Sequence, residues 1–313
     1  MAKGPWDKDI VVIGGGAAGM TAAQYGARAN LDTLLLERYA FGGQALIISE
    51  LENYPGFSEM ITGFDFSQRM EQQARNFGAE LVVNEVLKLE REGELFSIKT
   101  KTGVVRTPSV ILATGAVHRP LGVEGEERLI GRGVSYCASC DGPFFKGKKI
   151  LVVGGGDAAC DEAHYLSNLS DKIVLIHRRA EFRAQDALAN RVRNNGNIEV
   201  RLSQVALEVL GENKVQKVRL KDLATDKVYE EEFDAVFIFV GSIPITDLAF
   251  PEVEKDGQGF IEVNEHMESA VPGFFAIGDA RRTPFRQLAV GVGDAALAAH
   301  AAAHRVEDLS AVG

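Results

Sequence analysis

Two cysteines three positions apart, in Cys137-Ala-Ser-Cys140-Asp141, carry the most pointed chemistry in the chain. At i and i+3 they share one face of a helical turn, close enough to bridge. In a Cys-x-x-Cys pair at a helix start, one thiol can have a depressed pKa and act as the attacking thiolate. Asp141 follows at once and could pass a proton to the thiolate that leaves. A second reading joins Cys137 and Cys140 to Cys160 and His164 as a zinc site. It would pull Cys160 off the helix that follows a glycine motif, so no metal is expected. Cys160 by itself reads as a small buried hydrophobe, with a redox role as the alternative. His118, His266, His300 and His304 show no catalytic pattern.

A dithiol needs an electron source, and the chain repeats one frame for it. Ile10-Val-Val-Ile-Gly14-Gly-Gly-Ala-Ala-Gly19 and Ile150-Leu-Val-Val-Gly154-Gly-Gly-Asp-Ala-Ala159 are each a β-branched strand, a glycine turn and the start of a helix. Gly14 matches Gly154, Gly16 matches Gly156 and Gly19 matches Ala159, each 140 residues on. A second strand follows in each half, Thr33–Glu37 and Lys172–His177. Later come a helix ending at Gly78 or Gly196, segments resembling a small antiparallel meander, and an apolar strand ending in Gly115 or Gly241. Repeated βαβ units imply parallel sheets in two doubly wound α/β domains. The glycines let a pyrophosphate approach the backbone, and the helix amino terminus supplies free N–H groups. A plain glycine turn without ligand is the bland alternative; two copies in register argue against it.

The residue ending the second strand differs between the copies. In the first it is Glu37, whose carboxylate accepts hydrogen bonds from a ribose diol and repels a 2′-phosphate. In the second, His177 takes the slot, followed by Arg178, Arg179 and, a turn later, Arg183. Guanidinium forks match phosphate, so the second site reads as NADPH-selective and the first as a site for FAD or NAD. A solvated basic edge is the alternative. Gly273-Phe-Phe-Ala-Ile-Gly-Asp279-Ala, with Arg286-Gln287 behind it, places an acid at a strand's carboxyl end and favours FAD at the first site; a helix cap by Asp279 is the rival. Flavin accepts hydride from a nicotinamide and can reduce a disulfide, so it couples the two chemistries.

A length of 313 residues suits about two domains. Forty-four acids against 34 bases give a net charge of −10, which argues against nucleic acid or an anionic membrane as the main partner. No apolar leader precedes the first strand, no run is long enough to span a bilayer, and three cysteines are too few for a secreted disulfide scaffold. A cytoplasmic protein is expected.

Over nearly its full length the chain resembles the bacterial-type, low-molecular-weight thioredoxin reductases. The motifs that carry the likeness are Gly14–Gly19, Gly42-Gly43-Gln44, Glu52-Asn53-Tyr54-Pro55-Gly56, Ala113-Thr114-Gly115, Cys137-Ala-Ser-Cys140-Asp141-Gly142, Gly154–Ala159, His177-Arg178-Arg179 with Arg183, Gly278-Asp279 and Arg286-Gln287. The resemblance implies that Gly14, Gly16, Gly19, Glu37, Gly43, Gln44, Asn53, Asp279, Arg286 and Gln287 line FAD. Gly154, Gly156, Ala159, His177, Arg178, Arg179 and Arg183 would hold NADPH. Cys140 would face the flavin and form a transient adduct, Cys137 would attack the partner's disulfide, and Asp141 would be the acid–base group. It further implies a homodimer, with residues 1–115 and 244–313 as the FAD domain and 116–243 as an inserted NADPH domain. Hinges at Gly115-Ala116 and Gly241-Ser242 would let the insert rotate between two states. The expected electron acceptor is thioredoxin; a glutaredoxin-like redoxin or a peroxiredoxin system is the alternative. Further rivals are a ferredoxin-fed enzyme and a non-catalytic nucleotide sensor. Arg132 and Phe144-Phe145 are candidates for redoxin docking, with core packing the alternative for the two rings.

Overall fold

The structure, a computed structural model, describes residues 5–48, 51 and 53–312. Strand β1 (Ile10–Ile13) is β-branched throughout and wholly buried, the pattern of a parallel strand covered on both faces. Gly14 turns the chain at φ +109°, where an added Cβ would lie 2.4 Å from the Ala113 carbonyl oxygen, so only glycine fits. Helix α1 (Ala17–Arg28) and β2 (Thr33–Glu37) follow, β2 pairing in parallel with β1. Helix α2 (Gly63–Asn76) starts at Thr62, whose hydroxyl accepts from the Asp65 N–H at 3.0 Å and donates to its carboxylate at 2.8 Å. After β3 (Glu80–Val83) comes an antiparallel meander of β4 (Val86–Glu92), β5 (Leu95–Thr100) and β6 (Val104–Thr107). Strand β7 (Ser109–Leu112) then returns beside β1.

A connecting strand β8 (Ala116–His118) leads to the same plan a second time. Strand β9 (Val134–Ser135) is followed by the short helix α3 (Ala138–Asp141), β10 (Ile150–Gly154), α4 (Asp157–Ser167), β11 (Ile173–His177), α5 (Asp186–Arg193) and β12 (Ile198–Leu202). A meander of β13 (Gln204–Leu210), β14 (Lys217–Asp222) and β15 (Val228–Glu232) precedes β16 (Ala235–Phe239). The chain returns through β17 (Ser242–Pro244), which pairs with β8, to β18 (Phe274–Ala276) and the long helix α6 (Leu288–Val312).

Two compact units result: Met1–Val117 with Ile243–Gly313, and His118–Ser242. Their parallel sheets have matching orders, β3-β2-β1-β7-β18 and β12-β11-β10-β16-β9. The internal repeat is therefore a repeat of topology, and the fold is the expected α/β one with doubly wound parallel sheets. Only the fifth strand breaks the symmetry: β18 reaches the first sheet from the far end of the chain, whereas β9 enters the second from just before the cysteines. Helix α6 packs on α1 through Ala295, Ala298, Ala299 and Ala302 against Ala22 and Ala23. Such small side chains let helix axes come close. No described helix is long and apolar enough to cross a membrane.

Candidate active site

In the first unit the expected residues gather at the carboxyl edge of one sheet. An added Cβ at Gly19 would fall 1.8 Å from the Gly14 carbonyl oxygen, so the glycine turn and α1 touch backbone to backbone. Gly16 opens α1 with no side-chain cap, and nothing lies within 4 Å of where its Cβ would be. That leaves an open cradle at an uncapped helix amino end, the shape an anionic pyrophosphate needs. Glu37, ending β2, accepts from the Gly15 N–H at 2.6 Å and the Tyr39 N–H at 3.0 Å. A carboxylate has about four acceptor positions, so two remain for a ribose diol.

Gly42 donates its N–H to Gly15 at 2.7 Å, and Gly43, at φ +56°, lies against the Gly16 backbone. This brings Gln44 beside the turn, where its amide donates to the Ala116 carbonyl. Asn53 Nδ2 donates to Gln287 Oε1 at 3.2 Å, joining residues 234 apart. Glu52 of the same motif lies outside the described residues. Gly278 meets Ala18 of α1, so Asp279 stands near the same helix start. Burial pushes the Asp279 carboxyl above its usual pKa, and the Arg286 guanidinium opposes that shift. Arg286 itself lies 4.3 Å from the Phe260 ring centre, and its buried Nε has no hydrogen-bond partner. A buried guanidinium N–H without a partner fits a bound group better than an empty core.

The second unit repeats the frame with different chemistry. Ala159 replaces Gly19, and its Cβ lies 2.6 Å from where a Cβ of Gly154 would be. The methyl group thus occupies space that Gly154 leaves free. Gly156 opens α4, again without a side-chain cap and with nothing near its Cβ position. His177 ends β11 buried, its ring against Gly155 and stacked on Phe182 at 6.0 Å. Burial, then Arg179, Arg178 and Arg183, hold its pKa down, and its Nε2 lacks a hydrogen-bond partner. Arg178, Arg179 and Arg183 are exposed. None of the three forms an ion pair among the described residues, whereas Arg201 and Arg219 of the same unit do. Three guanidinium groups without an ion pair among the described residues, beside an imidazole whose Nε2 lacks a partner, fit a phosphate. The backbone N–H of Arg183 is anchored to Gly155 O at 2.7 Å, so the cluster is fixed to the glycine turn.

Cys137 and Cys140 form a disulfide with a Cα–Cα distance of 5.3 Å. Strand β9 delivers them to the carboxyl edge of the second sheet. Cys137 caps α3, and its Sγ accepts from the Cys140 N–H at 3.2 Å. A donor aimed at sulfur favours the thiolate over the thiol. Asp141 accepts from the Ser135 hydroxyl at 2.6 Å. Burial raises its pKa and that hydrogen bond opposes the rise. Ser135 Oγ also accepts from the Cys137 N–H at 3.1 Å, so one serine on β9 ties the first cysteine to the acid. Against the zinc reading, the two sulfurs are bonded to each other, and Cys160 lies on the buried face of α4 in the apolar core, its thiol pushed up to about 11, chiefly by burial. Phe145 belongs to the core, edge-on to Phe237, while Phe144 and Arg132 are exposed.

The sequence did not single out Ser135, nor Asp294, which accepts from Gly278 N–H at 3.1 Å and from Arg281 at 2.7 and 2.6 Å. Asp294 fixes the turn that carries Asp279. Ser135 and Asp294 act across gaps no motif spans; only the proximity of Ser135 to Cys137 could have drawn notice.

The chain belongs to the pyridine nucleotide-disulphide oxidoreductase family, which it matches over residues 8–303. Within that family its likenesses are specific. It is 50% identical over 303 residues to a thioredoxin reductase of Treponema pallidum, covering 97% of this chain and 98% of that one. It is 41% identical to a thioredoxin reductase of Bacillus subtilis, covering 96% and 95%. Among solved structures, thioredoxin reductase from Streptococcus pyogenes superposes with a TM-score of 0.88 at 40% identity, covering 96% of this chain and 98% of that one.

Proposed function

We propose that this protein is an NADPH-dependent disulfide reductase acting on thioredoxin. Its cofactors are FAD and NADPH; a flavin held in the first unit would supply the chemistry that couples a two-electron nicotinamide donor to a disulfide. The observation that carries the proposal is the Cys137–Cys140 disulfide, with a backbone N–H aimed at Cys137 Sγ and a half-buried acid directly after Cys140. Likeness to thioredoxin reductases over almost the whole of both chains supports the choice of partner.

Each residue then has a task. Gly14, Gly16 and Gly19 bring the α1 amino end to the FAD pyrophosphate. Glu37 takes the ribose diol, and Gly43, Gln44, Asn53, Asp279, Arg286 and Gln287 complete the pocket. Gly154, Gly156 and Ala159 do the same for NADPH, whose 2′-phosphate meets His177, Arg178, Arg179 and Arg183. Once the pair is reduced, the Cys137 thiolate attacks one sulfur of the partner's disulfide and the other sulfur departs as a thiolate. Asp141 supplies the proton that thiolate takes up. Cys140 then attacks Cys137 Sγ, which releases the second partner thiol and restores the internal disulfide. The two cysteines lose two electrons to the partner, which also gains two protons, one from Asp141 and one from the Cys140 thiol.

Residues 1–115 with 244–313 make the FAD domain and 116–243 the NADPH domain, acting in a cytoplasmic homodimer. Gly115 at φ +72° and Gly241 at φ +113° stand at the two crossings between domains, which supports a hinge there. Exposed Phe144 and Arg132 are where the redoxin docks. The test is anaerobic titration with NADPH in the presence of a panel of redoxins. The flavin of Cys140→Ser should still bleach with NADPH, and reoxidation by thioredoxin should be abolished. Full-rate thioredoxin reduction by that variant would refute the relay, and turnover with a glutaredoxin-like protein alone would change the partner.

A further inference from the structure

Helix α6 carries two histidines for which the reaction has no use. His300 and His304 stand four residues apart on its exposed face, while its other face is fixed to α1 by buried alanines. Their Nε2 atoms are 3.3 Å apart, although the ring centres are 4.6 Å apart and the ring planes cross at 82°. The nitrogens are thus closer than the rings that bear them, so the two Nε2 edges converge. Metal–imidazole bonds measure about 2.0–2.1 Å. At that length, nitrogens 3.3 Å apart subtend roughly 105–110° at an ion held between them, close to the tetrahedral angle. Behind His304, Glu307 Oε2 lies 3.6 Å from Nδ1. A carboxylate on that side favours the tautomer that leaves Nε2 free for a metal. The neighbouring cation, Arg305, is turned away: it pairs with Glu94 at 2.9 Å and donates to the Pro108 carbonyl at 3.0 Å.

We propose that His300 and His304 form a two-point chelating site for a late first-row divalent ion such as Ni2+, Zn2+ or Cu2+, with water filling the remaining positions. Imidazole ligands suit these ions, and affinity should rise from Zn2+ and Ni2+ to Cu2+. The site is independent of the thiol chemistry and of the partner assigned above. Because both ligands lie within one turn of the helix that closes the first unit's core, a bound ion staples that helix and stabilises the folded chain.

The test uses untagged, oxidised holoenzyme, in which the disulfide keeps Cys137 and Cys140 from competing for metal. Calorimetric titration with Ni2+, which does not oxidise thiols, should give one site per chain. His300→Gln and His304→Gln should each weaken it by at least about tenfold, the lower end of what losing even an outer partner costs. The double variant should abolish the site, and Glu307→Gln should weaken it less than either single histidine change. Saturating Ni2+ should raise the thermal midpoint of the wild type and leave that of the double variant unmoved. Both rings are exposed, so metal-free midpoints should agree. Unchanged Ni2+ stoichiometry in the double variant, or no titratable site in the wild type, would overturn the proposal.

Discussion

Replacing Arg178 and Arg179 together by alanine isolates what the basic cluster does. Neither guanidinium is paired with a carboxylate among the described residues, and both are exposed, so their removal breaks no internal ion pair. Stability should stay within about 0.5 kcal/mol of wild type. Hydrogen bonds to charged groups contribute about 1.5–3 kcal/mol, and solvent screening at this exposed edge points to the lower end. With about 1.4 kcal/mol per tenfold, two contacts at about 1.5 kcal/mol each correspond to a roughly 100-fold fall in kcat/KM for NADPH. Turnover at saturating NADPH should change little, because the contacts hold the nucleotide equally before and during reaction. NADH has no 2′-phosphate, and its kcat/KM should move by less than about threefold. Stopped-flow flavin reduction with each nucleotide measures both. Raising ionic strength should erode the wild-type preference and leave the variant's unchanged. The His177 imidazole, now held low by burial and by Arg179, Arg178 and Arg183, should titrate higher in the variant. If NADH and NADPH lost rate in equal proportion, phosphate recognition would have been placed in the wrong residues.

Three other outcomes are expected. Gly19→Ala puts a methyl group 1.8 Å from the Gly14 carbonyl oxygen; it should cost about 1–3 kcal/mol or more and give protein that loses flavin, whereas Ala159→Gly should leave flavin content unchanged. Burial lifts the Glu162 carboxyl from its ordinary 4.5 to about 7, with Asp161 adding to the rise. The folded state therefore keeps a proton that the unfolded chain releases, and that stabilisation is lost as pH climbs from 4.5 to 7. Urea unfolding should show the wild type losing on the order of 3 kcal/mol relative to Glu162→Gln across that window; parallel curves for the two proteins would contradict it. Ser135→Ala removes the donor that opposes the upward shift of Asp141. Asp141 should then keep its proton to higher pH, moving the alkaline limb of the thioredoxin turnover profile upward, and an unmoved limb would place the acid elsewhere.

Sequence reading was strongest where partners are close in the chain. The glycine turns and flanking strands were legible because a strand, a tight turn and a helix start constrain one another within ten residues. The apolar run within Thr33–Glu37 marks the strand at the bounds the structure shows, and the antiparallel meanders lie in the segments of alternating polarity. The disulfide was legible for the same reason, since i and i+3 meet in a single turn. The slots of Glu37 and His177 could be compared because two copies of one βαβ unit fix the register from glycine to second strand.

What the sequence by itself determined is thus a set of local devices: two pyrophosphate cradles, one with an acid and one with a basic edge, and a dithiol with an acid beside it. Only the tertiary structure decided which distant pieces complete them. Strand β18 brings Asp279 to the first sheet from far along the chain beyond β7, Arg286 settles on Phe260, Asp294 anchors the turn that holds Asp279, and β9 lets Ser135 join Cys137 to Asp141. The i, i+4 spacing of His300 and His304 could be read directly, but the convergence of their Nε2 atoms could not. These pairings depend on how separate segments pack around shared cores, where distance along the chain sets no limit on distance in space.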